Sequence, residues 1–193
     1  MDKGRLEAFS DGVIAIIVTI MVLELHPPHE PTLGALLEVA HPFFAYVVSF
    51  IYVCIYWNNH HHLFQTVEHV NGRVLWTNNF LLFCLSLVPF TTNWMGETDF
   101  ALVPTVIYGV SLFLPGTAYY LLATSLVSLH GKESMLARAM GRGYKEWASL
   151  VLYGLGIAGA FIHPYIAFAF YLAVAAMWFI PDRRIEARLT PDS

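Results

Sequence analysis

The stretch Arg5-Leu6-Glu7-Ala8-Phe9-Ser10-Asp11, followed at once by the almost purely apolar run from Gly12 to Leu25, decides how this chain folds. An arginine, a hydroxyl and a carboxylate stand where the chain enters apolar surroundings. Ionisable groups at such a depth in a bilayer cost about 2.5–3.5 kcal/mol each on insertion scales, so they require partners and usually a purpose.

The rest of the chain makes a bilayer the right solvent. Of its 193 residues, 57% are hydrophobic and only 12% charged, against about 25% charge in an ordinary soluble domain. The apolar residues lie in long blocks, not in alternating or amphipathic windows, so the chain reads as an integral membrane protein. The net charge of −4 is spread over the connections and forms no basic nucleic-acid face. Cys54 and Cys84 lie midway along apolar segments and read as small core hydrophobes, with no disulfide framework and no metal spacing. Lys3 and Arg5 before an apolar run imitate a secretory signal. Asp11 interrupts that run, however, and no small-x-small cleavage site follows, so the segment reads as a retained membrane helix.

A spanning helix needs about 20 mainly apolar residues. Stretches of that kind occur at about 6–25, 36–57, 74–94, 101–128, 146–162 and 165–180, giving an all-α chain of six transmembrane helices. No repeat and no separate soluble domain is visible, so residues 1–193 form a single six-span unit. The breaks between spans are polar or proline-rich, as in His26-Pro27-Pro28-His29-Glu30-Pro31. The last break, His163-Pro164, is so short that segments five and six must form a tight helical hairpin. Pro104 and Pro115 predict an irregular start or a kink in segment four.

Charge then orients the chain. Alternate connections hold Lys3 and Arg5; Arg73; Lys132, Arg138, Arg142 and Lys145; then Arg183, Arg184 and Arg188. Together these are all ten basic residues, so the positive-inside rule places both termini in the cytoplasm. Trp57, Trp76, Trp94, Trp147 and Trp178 fall near span ends, as in an aromatic belt.

That orientation brings three polar groups to one membrane depth. Arg5 to Asp11 opens span one on the inner side, span two ends there in Trp57-Asn58-Asn59-His60-His61-His62, and span three begins there with Trp76-Thr77-Asn78-Asn79. Arg5 and Asp11 are six positions apart, which at about 100° per residue puts them on widely separated faces, so each must look to another helix. One reading is an inter-helix hydrogen-bond network of Asp11, Ser10, His60 and Asn78, with Arg5 tying into it. The other is that Ser10 or Asp11 caps the helix while Arg5 snorkels to headgroups. Either role is structural. The three adjacent histidines diverge by about 100° each and cannot wrap one ion, so no metal site is expected, with His60 turned inward and His61 and His62 solvated.

Span one also carries a narrow stripe. With Gly12 as zero, Ile16 falls at about +40°, Thr19 at about −20° and Leu23 at about +20°. Ile20 sits on the shoulder near about +80°, and Met21 points the opposite way. Such a stripe packs against a neighbouring helix or, repeated around an axis, makes hydrophobic constrictions that gate by dewetting. No span has an acidic residue near its centre for ion coupling, no Gly-broken pair marks an inverted-repeat carrier, and there is no Thr-Val-Gly-Tyr-Gly filter. No Ser/His/Asp or Cys/His arrangement stands at membrane depth, so no catalytic residue and no enzyme is expected.

These blocks resemble a known family. Arg5-x-x-x-Phe9-Ser10-Asp11-Gly12 with Ala15-Ile16-x-x-Thr19, then Trp57-x-x-His60-x-x-Leu63-Phe64, then Trp76-x-Asn78 and Ser86-Leu87-Val88-Pro89-Phe90, are similar to the signature of the transmembrane protein 175 family of cation channels. The resemblance covers the first three spans; the last three match only in layout. It implies a potassium-permeable channel without a cofactor, made of one six-span repeat as in bacterial relatives. Such relatives assemble as homotetramers around a central pore in the plasma membrane. Span one would line that pore, with Ile16 as the tightest ring and Thr19, Ile20 and Leu23 along the outward path. Arg5, Phe9, Ser10, Asp11, Trp57, His60 and Asn78 would hold span one in place. A ring of isoleucines offers no oxygen ligands, so partly hydrated K+ and other monovalent cations would pass with weak selectivity. The rival readings are an ion carrier or proton leak without a continuous pore, and a non-conducting scaffold using the small faces of Gly154, Ala158 and Gly159.

Overall fold

The computed structural model describes residues 3–131, 133–140 and 144–179. Lys132, Arg142, Arg183, Arg184 and Arg188, on which half of the charge argument rests, lie outside the described residues. Nine helices and no strand occur among those described: α1 Lys3–Leu23, α2 Leu33–Glu38, α3 Ala40–Gln65, α4 Gly72–Ser86, α5 Val88–Glu97, α6 Leu102–His130, α7 Met135–Met140, α8 Tyr144–Ala160 and α9 Pro164–Phe179. The protein is all-helical. Four helical stretches are long and apolar enough to cross a membrane: α1, α3, the α4–α5 pair and α6; the apolar helices at 147–160 and 164–179 are shorter.

Several boundaries differ from the sequence reading for local reasons. Segment 36–57 becomes two helices. Thr32 caps the short α2 by accepting the Ala35 N–H at 3.1 Å, Val39 leaves helical geometry at φ −91°, ψ 11°, and α3 then runs eight residues past 57, through the histidines. Segment 74–94 is likewise divided, at Leu87, just ahead of Pro89. Proline lacks the N–H that would continue the ladder and its ring crowds the carbonyl four residues back. Leu87 stays in the right-handed region (φ −82°, ψ −18°), so α5 follows on from α4. In segment four, Pro104 falls in the first turn of α6, where a missing N–H leaves nothing unsatisfied, and α6 continues unbroken through Pro115. The α8–α9 hairpin turns on the Gly159 carbonyl, which accepts the N–H groups of Ile162 and His163, each at 3.0 Å.

Two apolar clusters hold the bundle. One joins α1, α3, α4 and α6 through Ile14, Ile17, Val53, Leu81, Leu85 and Leu122. The other is largely aromatic and joins α3, α5, α6, α8 and α9 through Tyr52, Met95, Tyr108, Tyr153, Phe168 and Tyr171. Hydroxyl pairs lace the helices where lipid would offer no partner. Thr92 Oγ1 donates to Ser49 Oγ at 2.7 Å, which pairs with Tyr108 Oη at 2.9 Å, and Thr91 pairs with Ser111 at 2.7 Å.

The Tyr171 ring is gripped between two glycines. A Cβ on Gly109 would stand 1.9 Å from Tyr171 Oη, and one on Gly156 would stand 2.6 Å from its Cε1. The ring is fully buried and has nowhere to retreat. Gly109→Ala is therefore expected to destabilise the protein by about 1–3 kcal/mol, the usual range for overpacking. Thermal unfolding in detergent checks this, and an unchanged melting temperature would refute the grip.

Candidate functional site

The two sides of α1 are sharply different. Leu6, Ser10, Ile14, Ile17 and Met21 form its buried face and pack on α3, α4 and α5. About 140° away, Gly12, Ile16, Thr19, Ile20 and Leu23 are all exposed, Ile16 at 60% and Leu23 at 72%. Among the described residues no helix packs closely over this stripe, so packing within those residues does not explain it. A Cβ built on Gly12 would meet nothing within 4 Å. The helix that carries the motif is also the least buried of the four long ones.

Toward the far end, Ile16, Ile20 and Glu24 face Pro89, Phe90, Asn93 and Trp94 of α5 across an open cleft of ≈ 590 Å³. Asn93 Nδ2 donates to Glu24 Oε2 at 3.3 Å across it, and His26 stands 3.6 Å from Glu97. Thr19 Oγ1 donates its hydrogen to the Ala15 carbonyl at 2.9 Å, a back-bond available to a helical threonine. With that proton committed, the oxygen lone pairs remain for a donor or cation on the exposed side.

At the near end, three buried polar side chains from three helices form one directed chain. Ser10 of α1, His60 of α3 and Asn78 of α4 are 0%, 2% and 0% exposed. Ser10 Oγ donates to the Leu6 carbonyl at 2.8 Å and accepts Asn78 Nδ2 at 2.9 Å. Asn78 Oδ1 lies 2.8 Å from His60 Nε2. Because the amide nitrogen is spent on Ser10, Oδ1 can only accept, so the network assigns the proton to His60 Nε2. The order of donors fixes the amide orientation, the histidine tautomer and the rotation of α1 together.

The remaining sequence candidates stand around that chain. Asp11 is exposed and accepts Trp57 Nε1 at 2.9 Å, so it ties α1 to α3 separately from the Ser10 chain, and the Trp57 ring stacks on His61. Phe9 and Arg5 are exposed. No hydrogen bond or ion pair within the described residues engages the Arg5 guanidinium, because it lies on the side of α1 that faces away from α3 and α4. Lys3 supplies a contact that sequence reading missed. Its Nζ donates to the carbonyls of Phe64 and Val67, both at 2.8 Å, placing a cation on the carbonyl groups at and just past the C-terminal end of α3. The available signal was a cation opening α1 at the depth where α3 ends.

Comparison with known proteins bears on the family and the fold. Residues 5–89 match the model of the family described as endosomal/lysosomal potassium channel TMEM175. A protein named as a potassium channel from Chryseobacterium sp. (strain P1-3) is 52% identical over 189 residues, covering 98% of each chain. Another so named, from Chamaesiphon minutus, is 36% identical over 102 residues, 50% of each. The crystal structure of a homologue, from Chamaesiphon minutus, of the lysosomal potassium-selective channel TMEM175 shares this fold. Its TM-score is 0.81 at 24% identity, over 93% of this chain and 97% of that one.

Proposed function

Since this chain belongs to the TMEM175 family, we propose that it is a potassium-permeable channel of the bacterial cell membrane, with α1 of each subunit lining the pore of a homotetramer. The family is one of channels, not enzymes. In this reading the chain is one domain of six spans, with α8 and α9 crossing as a packed hairpin and both termini in the cytoplasm. The observation that carries it is the uncovered stripe of α1. A helix held on its own subunit by one face, and presenting Gly12, Ile16, Thr19 and Leu23 on the other, is what a shared axis requires. The same stripe facing lipid would give no reason for the directed polar chain that sets its rotation.

Ile16 then forms the narrowest ring, with Thr19, Ile20 and Leu23 outward of it. Four isoleucines provide no ligands, so a cation crosses with part of its water, and the barrier is the cost of wetting an apolar neck. Ser10, Asn78 and His60 hold the helix, Trp57 steadies Asp11, and Phe9 and Arg5 find their partners in the adjacent subunit.

Potassium uptake into proteoliposomes tests the reading: flux is expected from the wild-type protein. Its absence from well-folded, reconstituted material would reduce the family relationship to a shared fold. Discrimination is assigned to Thr19, whose free lone pairs favour the more easily dehydrated ion. Thr19→Ala is expected to lower the K+/Na+ permeability ratio by about two- to fivefold, equivalent to about 0.5–1 kcal/mol of lost polar contact. Reversal potentials under bi-ionic conditions read this directly, and an unchanged ratio would take selectivity away from Thr19.

A further inference from the structure

His130, in the last turn of α6, holds one ring nitrogen in use and one idle. Its Nδ1 lies 3.0 Å from the Leu126 carbonyl, and a carbonyl only accepts, so Nδ1 carries the proton and Nε2 the lone pair. That Nε2 is buried and has no hydrogen-bond partner. The ring of His69, from the α3–α4 connection, stands 4.7 Å away between centroids at 45°. A buried acceptor left empty costs about 1–3 kcal/mol and calls for an occupant such as a water or an ion.

We propose that His69 and His130 form a two-imidazole site for a divalent transition-metal ion of the zinc class. Histidine ligands characteristically donate their second ring N–H to a carboxylate or backbone carbonyl, which fixes the tautomer and turns the other nitrogen to the metal; His130 is held in that way. Imidazole pairs suit Zn, Cu and Ni over the hard cations. His69 is exposed on a connection, so its ring turns to bring a nitrogen to the ion without disturbing the core. No group of three or more His, Cys, Asp or Glu suited to a metal occurs among the described residues. Water therefore completes the coordination, and the site exchanges its metal, unlike a closed four-ligand centre. The ion would clamp the α3–α4 connection to the end of α6. The same connection contains Val67, whose carbonyl receives Lys3 of α1, so the clamp acts one contact away from the α1 terminus.

Calorimetric titration of the metal-free, detergent-solubilised chain with Zn2+ alone tests this, paired with melting curves. Wild type is expected to bind one more zinc per chain than His69→Gln, with a zinc-dependent rise in melting temperature that His69→Gln loses. His69→Cys, which substitutes another zinc ligand, should retain both, and His61→Gln should behave as wild type. The substitution is made at His69 because its exposed position leaves folding intact. Equal zinc stoichiometry in wild type and His69→Gln, or no zinc bound by wild type, overturns the proposal and leaves water as the occupant.

Discussion

Ile16→Asn is expected to raise cation flux through reconstituted protein by about tenfold or more and to reduce K+/Na+ discrimination. The argument is one of wetting. In the proposed tetramer, four Ile16 side chains meet where α1 turns its exposed stripe to the axis, and an ion must strip part of its hydration to pass. An amide at each position supplies donors and acceptors that keep the neck filled with water. Tenfold in rate needs only about 1.4 kcal/mol off the barrier, a modest demand on four substitutions. Side-by-side K+ and Na+ flux measurements provide the check, with Leu172→Asn on the exposed side of α9 as a substitution that leaves conduction unchanged. If Ile16→Asn assembles normally and conducts like wild type, the constriction does not lie on this ring.

Asn78→Leu is expected to destabilise the protein by about 2–3 kcal/mol, far more than its size suggests. Leucine matches the branching and heavy-atom count but makes neither hydrogen bond. The His60 Nε2–H then faces a buried site with no acceptor, and the tie from α4 to Ser10 is lost. A stranded buried donor alone costs about 1–3 kcal/mol. Trp57→Phe, which breaks the exposed bond to Asp11, should cost under about 1 kcal/mol by comparison. Because removing both partners of a buried bond is far cheaper than removing one, adding His60→Leu to Asn78→Leu should recover part of the loss. Unfolding in detergent of wild type, Asn78→Leu, His60→Leu, the double variant and Trp57→Phe measures this, and strict additivity of the two leucine substitutions would mean that His60 and Asn78 are not coupled.

The sequence makes some of this legible and some not, for physical reasons. Composition and block length are enough for an all-helical membrane protein. Counting depth along alternating spans is enough to bring Ser10, His60 and Asn78 to one level, because spans are rigid rods of nearly equal length. The pairing of atoms is not legible, since it depends on helix rotation. Asp11 turns to Trp57 and not to the Ser10 chain, and Arg5 faces away from both. The reading of 74–94 as one span misses the break at Leu87 ahead of Pro89, while Pro115 leaves α6 whole, so proline alone does not say which helix will divide. Whether the α1 stripe meets its own chain could not be read from periodicity, which gives the direction of a face but not its neighbour.

The polar chain also makes α1 a cantilever. Its inter-helix hydrogen bonds sit at Lys3, Ser10 and Asp11. Beyond the buried Ile14, Ile17 and Met21, the hydrogen bond that holds its far end among the described residues is the exposed one between Glu24 and Asn93. At about 1.5 Å rise per residue, Ile16 lies about 9 Å from the Ser10 pivot and Leu23 about 20 Å from it. A tilt of about 5° about that pivot would swing Leu23 by about 1.7 Å but Ile16 by only about 0.8 Å. In the proposed tetramer the ring nearest the anchor would keep its bore while the outer end flares, so this lever would resist at the neck and yield at the mouth.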